Sequence, residues 1–145
     1  LRLALEHSKM LSADVGIAYD SSYPEAFEPA NTARLGRGPA LIKYAGHMGK
    51  KGCNDASAEY LALIRKLFDD AGVYWQTGEY GKIDFGGGGT IAPFAAAYGM
   101  EVVDCGVVLL SMHAPYELAS KADIYETYRA YRAFLESGLE LEKYM

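Results

Sequence analysis

Short apolar runs along this chain alternate with longer stretches in which apolar residues recur every three or four positions. Leu1, Ala4 and Leu5 have the spacing of the last turns of a helix. Met10 to Ala18 reads as a short strand with Val15 and Ile17 on one face. Residues 20–37 are rich in Ser, Pro, Glu and Asn without a sustained period, which predicts a long loop of the functional or mobile kind. Ala40 to Tyr44 is a second strand, followed by a Gly/Lys turn from Gly46 to Gly52. Asn54 or Asp55 can cap the next helix, whose Leu61, Ile64, Leu67 and Phe68 repeat at helical spacing until Gly72 ends it. A short strand over Val73 to Gln76 precedes a helix from about Thr90 to Tyr98, closed by Gly99. Val102 to Leu110 is almost continuously apolar, as a strand buried on both faces would be. The last helix runs from about Ser120 to Leu139, with Ser120 and Asp123 spaced as a capping box and Ile124, Tyr128, Tyr131 and Leu135 along one side.

This alternation predicts an α/β fold, with a mainly parallel sheet covered by helices on both faces. A length of 145 residues suits one compact domain with a real core. Half the residues are hydrophobic and 23% are charged, an ordinary globular balance. The net charge of −5 and scattered basic residues argue against nucleic acid or an anionic membrane as partner. No apolar run reaches the roughly 18 residues that would span a bilayer. The opening residues have no signal-peptide grammar and read as a helix already under way. Cys53, in a polar turn, and Cys105, in an apolar run, read as free thiols, which suggests a cytoplasmic protein.

Three places carry candidate chemistry. His113 stands just past the apolar Val102–Leu110 run, where α/β sheets place their ligands, and an imidazole there suits zinc ligation or base catalysis. Taken alone, it is more simply a hydrogen-bonded histidine capping a loop. Asp14 is a carboxylate inside an apolar strand, so it must be paired, hydrogen-bonded or metal-bound. Alone, it too is more simply a salt-bridged or backbone-capping aspartate. The run Gly86 to Gly89, followed by Thr90, opens a helix and exposes backbone amides. It lacks the lysine of a phosphate loop and the dinucleotide fingerprint, so close approach of backbone to a substrate or metal centre fits better, beside a plain flexible turn. The tyrosines at 125, 128 and 131 read as core and interface packing. Glu136, Glu140 and Glu142 read as a solvated helix end, and His7 and His47 have no acidic neighbours at ligand spacing.

The order of these segments is specific. Ser12-Ala13-Asp14-Val15 is followed by Gly38-Pro39 leading into Lys43-Tyr44, by Asn54-Asp55-Ala56-Ser57, by Trp75-Gln76-Thr77-Gly78-Glu79, by the glycine run with Thr90-Ile91-Ala92, by Ser111-Met112-His113, and by Lys121 to Tyr128. The series resembles the carboxy-terminal third of the vacuolar aminopeptidase I and aspartyl aminopeptidase family (metallopeptidase family eighteen), most closely its bacterial branch. The resemblance covers nearly the whole chain and implies the carboxy-terminal part of a single α/β/α metallopeptidase catalytic domain over residues 1–145.

It further implies two zinc ions bridged by an aspartate and a water, with cobalt or manganese as alternatives. Such a pair polarises the peptide carbonyl and acidifies the attacking water, and a glutamate carries the proton to the leaving amine. The position matching Asp14 gives a carboxylate to one zinc and that matching His113 an imidazole to the other. Lys43 matches a substrate-contacting lysine, with an ordinary strand-edge charge as the alternative, and Gly88, Gly89 and Thr90 would line the substrate pocket. The family's other zinc histidine, bridging aspartate and Glu-Glu pair lie upstream in relatives, and no Glu-Glu pair occurs in this chain. The expected activity, release of single amino-terminal residues from peptides, is therefore expected of a longer protein, with this segment alone inactive. Acid-preferring relatives carry a histidine three residues after the matching aspartate. Ile17 stands there, which points to neutral or broad specificity. Relatives are large homo-oligomers, so a homo-oligomer is expected. The rivals are a neighbouring two-zinc deblocking aminopeptidase and a non-catalytic remnant or assembly module of the same fold.

Overall fold

The computed structural model describes residues 1–47 and 54–137. The Cys53 thiol, most of the Gly46–Gly52 turn and the stretch beyond Ser137, with Leu139, Glu140 and Glu142, lie outside these residues. In chain order the described elements are α1 (Arg2–Glu6), β1 (Lys9–Ser12), β2 (Gly16–Ile17), a 3-10 turn (Pro24–Ala26), β3 (Ala40–Ile42), α2 (Ala58–Asp70), β4 (Gln76–Thr77), α3 (Ala92–Ala96), β5 (Glu101–Gly106), β6 (Val108–Leu110), β7 (Leu118–Ala119) and α4 (Lys121–Glu136).

The strands form a four-stranded sheet in the order β1-β5-β3-β4 and a three-stranded sheet in the order β2-β6-β7. Three of the five pairings among the described residues are parallel, and β5 with β3 and β7 with β6 are antiparallel. The α/β class is as expected, with β7 supplying an antiparallel strand that the sequence pattern did not mark. Side chains on β5 alternate between faces. Val103 and Cys105 pack with Leu41, with Ile64, Leu67 and Phe68 of α2, and with Ala130 of α4. A second cluster gathers Ala18, Ala33, Ala40, Ile42, Tyr80 and Val108.

Helix α2 forms because Tyr60, Leu63, Ile64, Leu67 and Phe68 fall on one stripe, and each is buried. Burial of each large side chain contributes about 1.5–3 kcal/mol. Its cap is Ser57, whose hydroxyl accepts from Tyr60 N at 3.1 Å, and not Asn54 or Asp55. The Asn54 amide instead donates to Val102 O, and Asp55 pairs with Lys43. At the other end Gly72 takes φ +63°, Val73 N donates to Phe68 O and Gly72 N to Asp69 O, the paired bonds of a glycine-closed helix end.

Residues 20–37 do form a loop, but an anchored one. Gln76 accepts from Arg34 N and donates to the carbonyls of Arg34 and Gly38, while Arg34 lies over the Tyr19 ring at 4.6 Å. The carboxylate of Asp123, fully buried in the first turn of α4, accepts from Gly36 N and Gly38 N, each at 2.7 Å. The expected capping box is therefore half made. Asp123 N donates to Ser120 Oγ at 3.4 Å, and the carboxylate serves the loop. The buried residues of α4 are Asp123, Thr127 and Ala130. Tyr125, Tyr128, Ile124 and Leu135 are more than half exposed, so among the three tyrosines only Tyr131 joins the core.

Candidate active site

Asp14 lies at a bend, not inside a strand. β1 and β5 pair in parallel up to Ser12↔Asp104, both leave the ladder, and β2 and β6 resume in the same register at Gly16↔Val108. The interruption places Asp14 opposite Gly106. A β-carbon at 106 would lie 1.9 Å from Asp14 O, so only glycine permits the bend. Gly16 N donates to Val107 O at 2.9 Å, and the Tyr131 hydroxyl donates to Cys105 O at 2.6 Å, holding β5 from the other side. The Asp14 carboxylate is half-buried, and its Oδ1 accepts from Val15 N at 2.9 Å. That is the backbone-capping arrangement, which leaves Oδ2 for another partner.

His113 follows β6 in a tight turn closed by Ala114 N donating to Ser111 O at 2.9 Å. Its own N–H donates to the Glu117 carboxylate at 2.6 Å, and its side chain is exposed. Ser111 and His113 have φ of +58° and +67°, and Asp84, just before the glycine run, has +65°. These are the positive-φ non-glycine residues among those described, and such strain, costing about 1–3 kcal/mol each, is characteristic of functional loops.

The glycine run is held at three points among the described residues. Gly86 N donates to Lys82 O at 2.8 Å. Gly46 N donates to Gly88 O at 2.8 Å, and the Thr90 hydroxyl donates to Asp104 Oδ2 at 3.0 Å. Thr90 Oγ1 in turn accepts from Ala92 N at 3.2 Å and starts α3, which is five residues long and shorter than expected. A β-carbon on Gly88 or Gly89 would meet nothing within 4 Å, so the space beside them is open, and no group of the described residues approaches there.

Asp104 is fully buried between Ser12 and Ile42 in the sheet row. Among the described residues its Oδ1 and the Ser12 hydroxyl make no hydrogen bond of good geometry. Burial raises the Asp104 pKa above the usual carboxylate value; the Ser12 and Thr90 hydroxyls oppose the shift and the Asp14 charge adds to it.

Lys43 is not a free cation. Its ammonium binds the Asp55 carboxylate and donates to Ala56 O at 2.9 Å. Beside it, the Tyr44 hydroxyl donates to Glu79 in a cavity of about 200 Å³ that Asn31 and Thr77 also line. Burial and the Glu79 carboxylate push the Tyr44 phenol up to about 12. A larger cavity of about 530 Å³, lined by Lys9, Tyr60, Leu63, Lys66 and Glu101, opens at the amino-terminal ends of β1 and β5, whereas Asp14 follows the carboxyl end of β1.

The family model for aminopeptidase I zinc metalloproteases (M18) matches residues 1–135. The chain belongs to the M18 aminopeptidase family. Over 137 residues this M18 chain is 56% identical to a Clostridium acetobutylicum protein named "Probable M18 family aminopeptidase 1", covering 94% of this chain and 30% of that protein. A Thermotoga maritima protein of the same name is 48% identical over 132 residues, covering 91% and 29%. The crystal structure of aminopeptidase I from Clostridium acetobutylicum superposes with a TM-score of 0.89 at 57% identity, over 92% of this chain and 29% of that one. The chain thus spans about 30% of the length of the M18 relatives it matches.

The family name implies zinc, and a carboxylate oxygen and an imidazole nitrogen are both zinc donors, so Asp14 and His113 suit it in kind. They do not suffice in number. No group of three or more His, Cys, Asp or Glu able to hold a metal exists among the described residues, whereas catalytic zinc takes three protein ligands. No helix among them is long and apolar enough to cross a membrane. Asp104 escaped the sequence reading, although one carboxylate in the apolar stretch Val102-Val103-Asp104-Cys105 carries the same signal that singled out Asp14.

Proposed function

We propose that residues 1–145 form the carboxy-terminal part of the catalytic domain of a zinc aminopeptidase that releases single amino-terminal residues from peptides. The match of residues 1–135 to an aminopeptidase I zinc metalloprotease family carries this reading. Asp14 and His113 each give a ligand to one of two metal ions, zinc in preference to cobalt or manganese. The remaining ligands and the proton-carrying glutamate come from outside this chain, in keeping with its share of the relatives' length. The bound metals would supply carbonyl polarisation and a more acidic attacking water.

The chain's own residues bind and orient. The bend at Gly106 aims Asp14 without a side chain in the way. The open backbone at Gly88 and Gly89 lies along the peptide, with Thr90 fixing its end. Lys43 reaches substrate by exchanging its Asp55 partner, a half-exposed pair worth at most about 1 kcal/mol. Ile17, part-buried and apolar, favours neutral or broad amino-terminal residues over acidic ones. The protein is cytoplasmic and assembles as a homo-oligomer, for which the exposed Tyr125, Tyr128 and Leu135 of α4 offer contact area.

Elemental analysis of the purified chain beside His113→Ala, and of the full-length protein with the same change, tests the reading. The chain alone should hold no tight metal. The full-length protein should hold about two ions, and Asp14→Ala or His113→Ala should abolish both tight binding and peptide cleavage. Full-length variants that keep metal and activity would leave the non-catalytic assembly module as the better reading.

A further inference from the structure

The glycine run has more backbone freedom than any other four-residue segment of the chain, and a loop that must be ordered each time a peptide binds weakens that binding. Among the described residues three hydrogen bonds hold it: Gly86 N to Lys82 O at its start, Gly46 N to Gly88 O within it, and Thr90 Oγ1 to Asp104 Oδ2 immediately after it. The last differs in kind. Its acceptor is a fully buried side chain in the middle of the sheet, fixed between Ser12 and Ile42, and among the described residues it is the acceptor of Thr90's single hydroxyl proton. With that proton committed, the hydroxyl lone pair faces Ala92 N and sets the start of α3. A rigid strand residue thereby fixes the loop's exit.

We infer that Asp104 is a positioning residue which, through Thr90, holds the Gly86–Gly89 backbone ready for the peptide. The inference rests on the aminopeptidase reading, under which that backbone contacts substrate. Asp104 itself touches no substrate, since it is wholly buried. Its effect falls on substrate binding: a loop that is not pre-ordered raises KM and leaves the chemical step nearly intact.

The test uses the full-length, metal-loaded protein and a cycle of Thr90→Val, Asp104→Asn and the double variant, with Thr90→Ser as the conservative control. Thr90→Val keeps the side-chain shape and removes the donor. It should raise KM for a neutral aminoacyl peptide by about tenfold, the scale of one charge-assisted hydrogen bond, with kcat changed by no more than about threefold. Thr90→Ser should restore most of the affinity. Asp104→Asn, which retains an acceptor without the charge, should raise KM by a smaller factor and add nothing in the Thr90→Val background. Independent, additive effects would overturn the coupling.

Amide hydrogen exchange gives a second readout that does not depend on activity. The amides of Gly86 and Gly46, bonded to Lys82 O and Gly88 O, should lose protection in Thr90→Val while α2 keeps its own, which also shows that the variant is folded. Unchanged exchange at Gly46 and Gly86 would overturn the positioning role even if the enzyme is fully active. A wild-type protein that cleaves no peptide would instead overturn the aminopeptidase reading, with the exchange measurement still deciding what Asp104 holds.

Discussion

Gly106 and Asp14 meet so closely that a β-carbon on residue 106 would lie 1.9 Å from the Asp14 carbonyl oxygen and 2.8 Å from its carbonyl carbon. The contact occurs where two parallel strand pairs are bent out of one ladder and resume in unchanged register. The carboxylate proposed as a metal ligand is thus aimed by a backbone contact that no other residue type allows at 106. Gly106→Ala should destabilise the fold by about 1–3 kcal/mol, as overpacking does. It should also weaken metal binding in the full-length protein well beyond that of a surface control. Denaturant titration and metal affinity measure the two effects. Wild-type metal affinity in a folded Gly106→Ala protein would show that Asp14 is not the ligand this contact positions.

Asp123 bonds the backbone of Gly36 and of Gly38 with its two carboxylate oxygens. Asparagine would turn an NH2 group toward one of those N–H donors. Asp123→Asn should therefore cost about 2–4 kcal/mol, because two partly or fully buried donors depend on it. Urea unfolding would read the loss, and limited proteolysis should find new cleavage within residues 20–37. A change below about 0.5 kcal/mol, the size of an ordinary surface substitution, would count against this anchor.

Cys105 is fully buried, and burial together with the Asp104 charge pushes its thiol up to about 12. An unfolded thiol ionises near ~8.5. Between those values the unfolded chain releases a proton that the folded one keeps. The Cys105 contribution is therefore present in full below about pH 8.5 and declines as pH rises, by at most about 1.4 kcal/mol per unit. In a Cys53→Ser background the native protein should resist thiol alkylation at pH 8 and react only on unfolding. The stability gap between this protein and its Cys105→Ala derivative should narrow from pH 8.5 to 10.5. Rapid labelling of the native state would contradict the buried, protonated thiol.

Lys43 and Asp55 form a half-exposed ion pair at the edge of the smaller cavity. Lys43→Met should change stability by no more than about 1 kcal/mol. If Lys43 contacts substrate, KM of the full-length protein should rise several-fold with kcat little changed. Unaltered kinetics would leave Lys43 as a strand-edge charge paired with Asp55.

Much of this fold was legible because local physics dictates it. The stripe Tyr60, Leu63, Ile64, Leu67 and Phe68 can bury itself only as a helix, and Gly72 can close it because glycine alone takes φ +63° at no steric cost. The apolar Val102–Leu110 run had to enter the sheet. The interruptions of the strands leave no such mark in the sequence. Nothing within Met10–Ala18 says that the strand breaks at Asp14, because the close contact there is with Gly106, far along the chain. The cap of α2 was misplaced for a similar reason: Asn54 and Asp55 have the right chemistry for a cap but are occupied by Val102 O and Lys43.

The sequence by itself determined the α/β class and the family, and it singled out Asp14 and His113 as candidate metal ligands, since composition, period and motif order are properties of the chain alone. Tertiary structure decided the rest: that Asp14 rests against Gly106, that Asp104 grips Thr90, that Asp123 serves a distant loop instead of its own helix, and that Lys43 is already paired. Each of these is a contact between residues far apart in sequence, or a choice among several partners of equal chemistry. A side chain's chemistry names what it can bind, but only the packed backbone brings one partner within reach and keeps the others out.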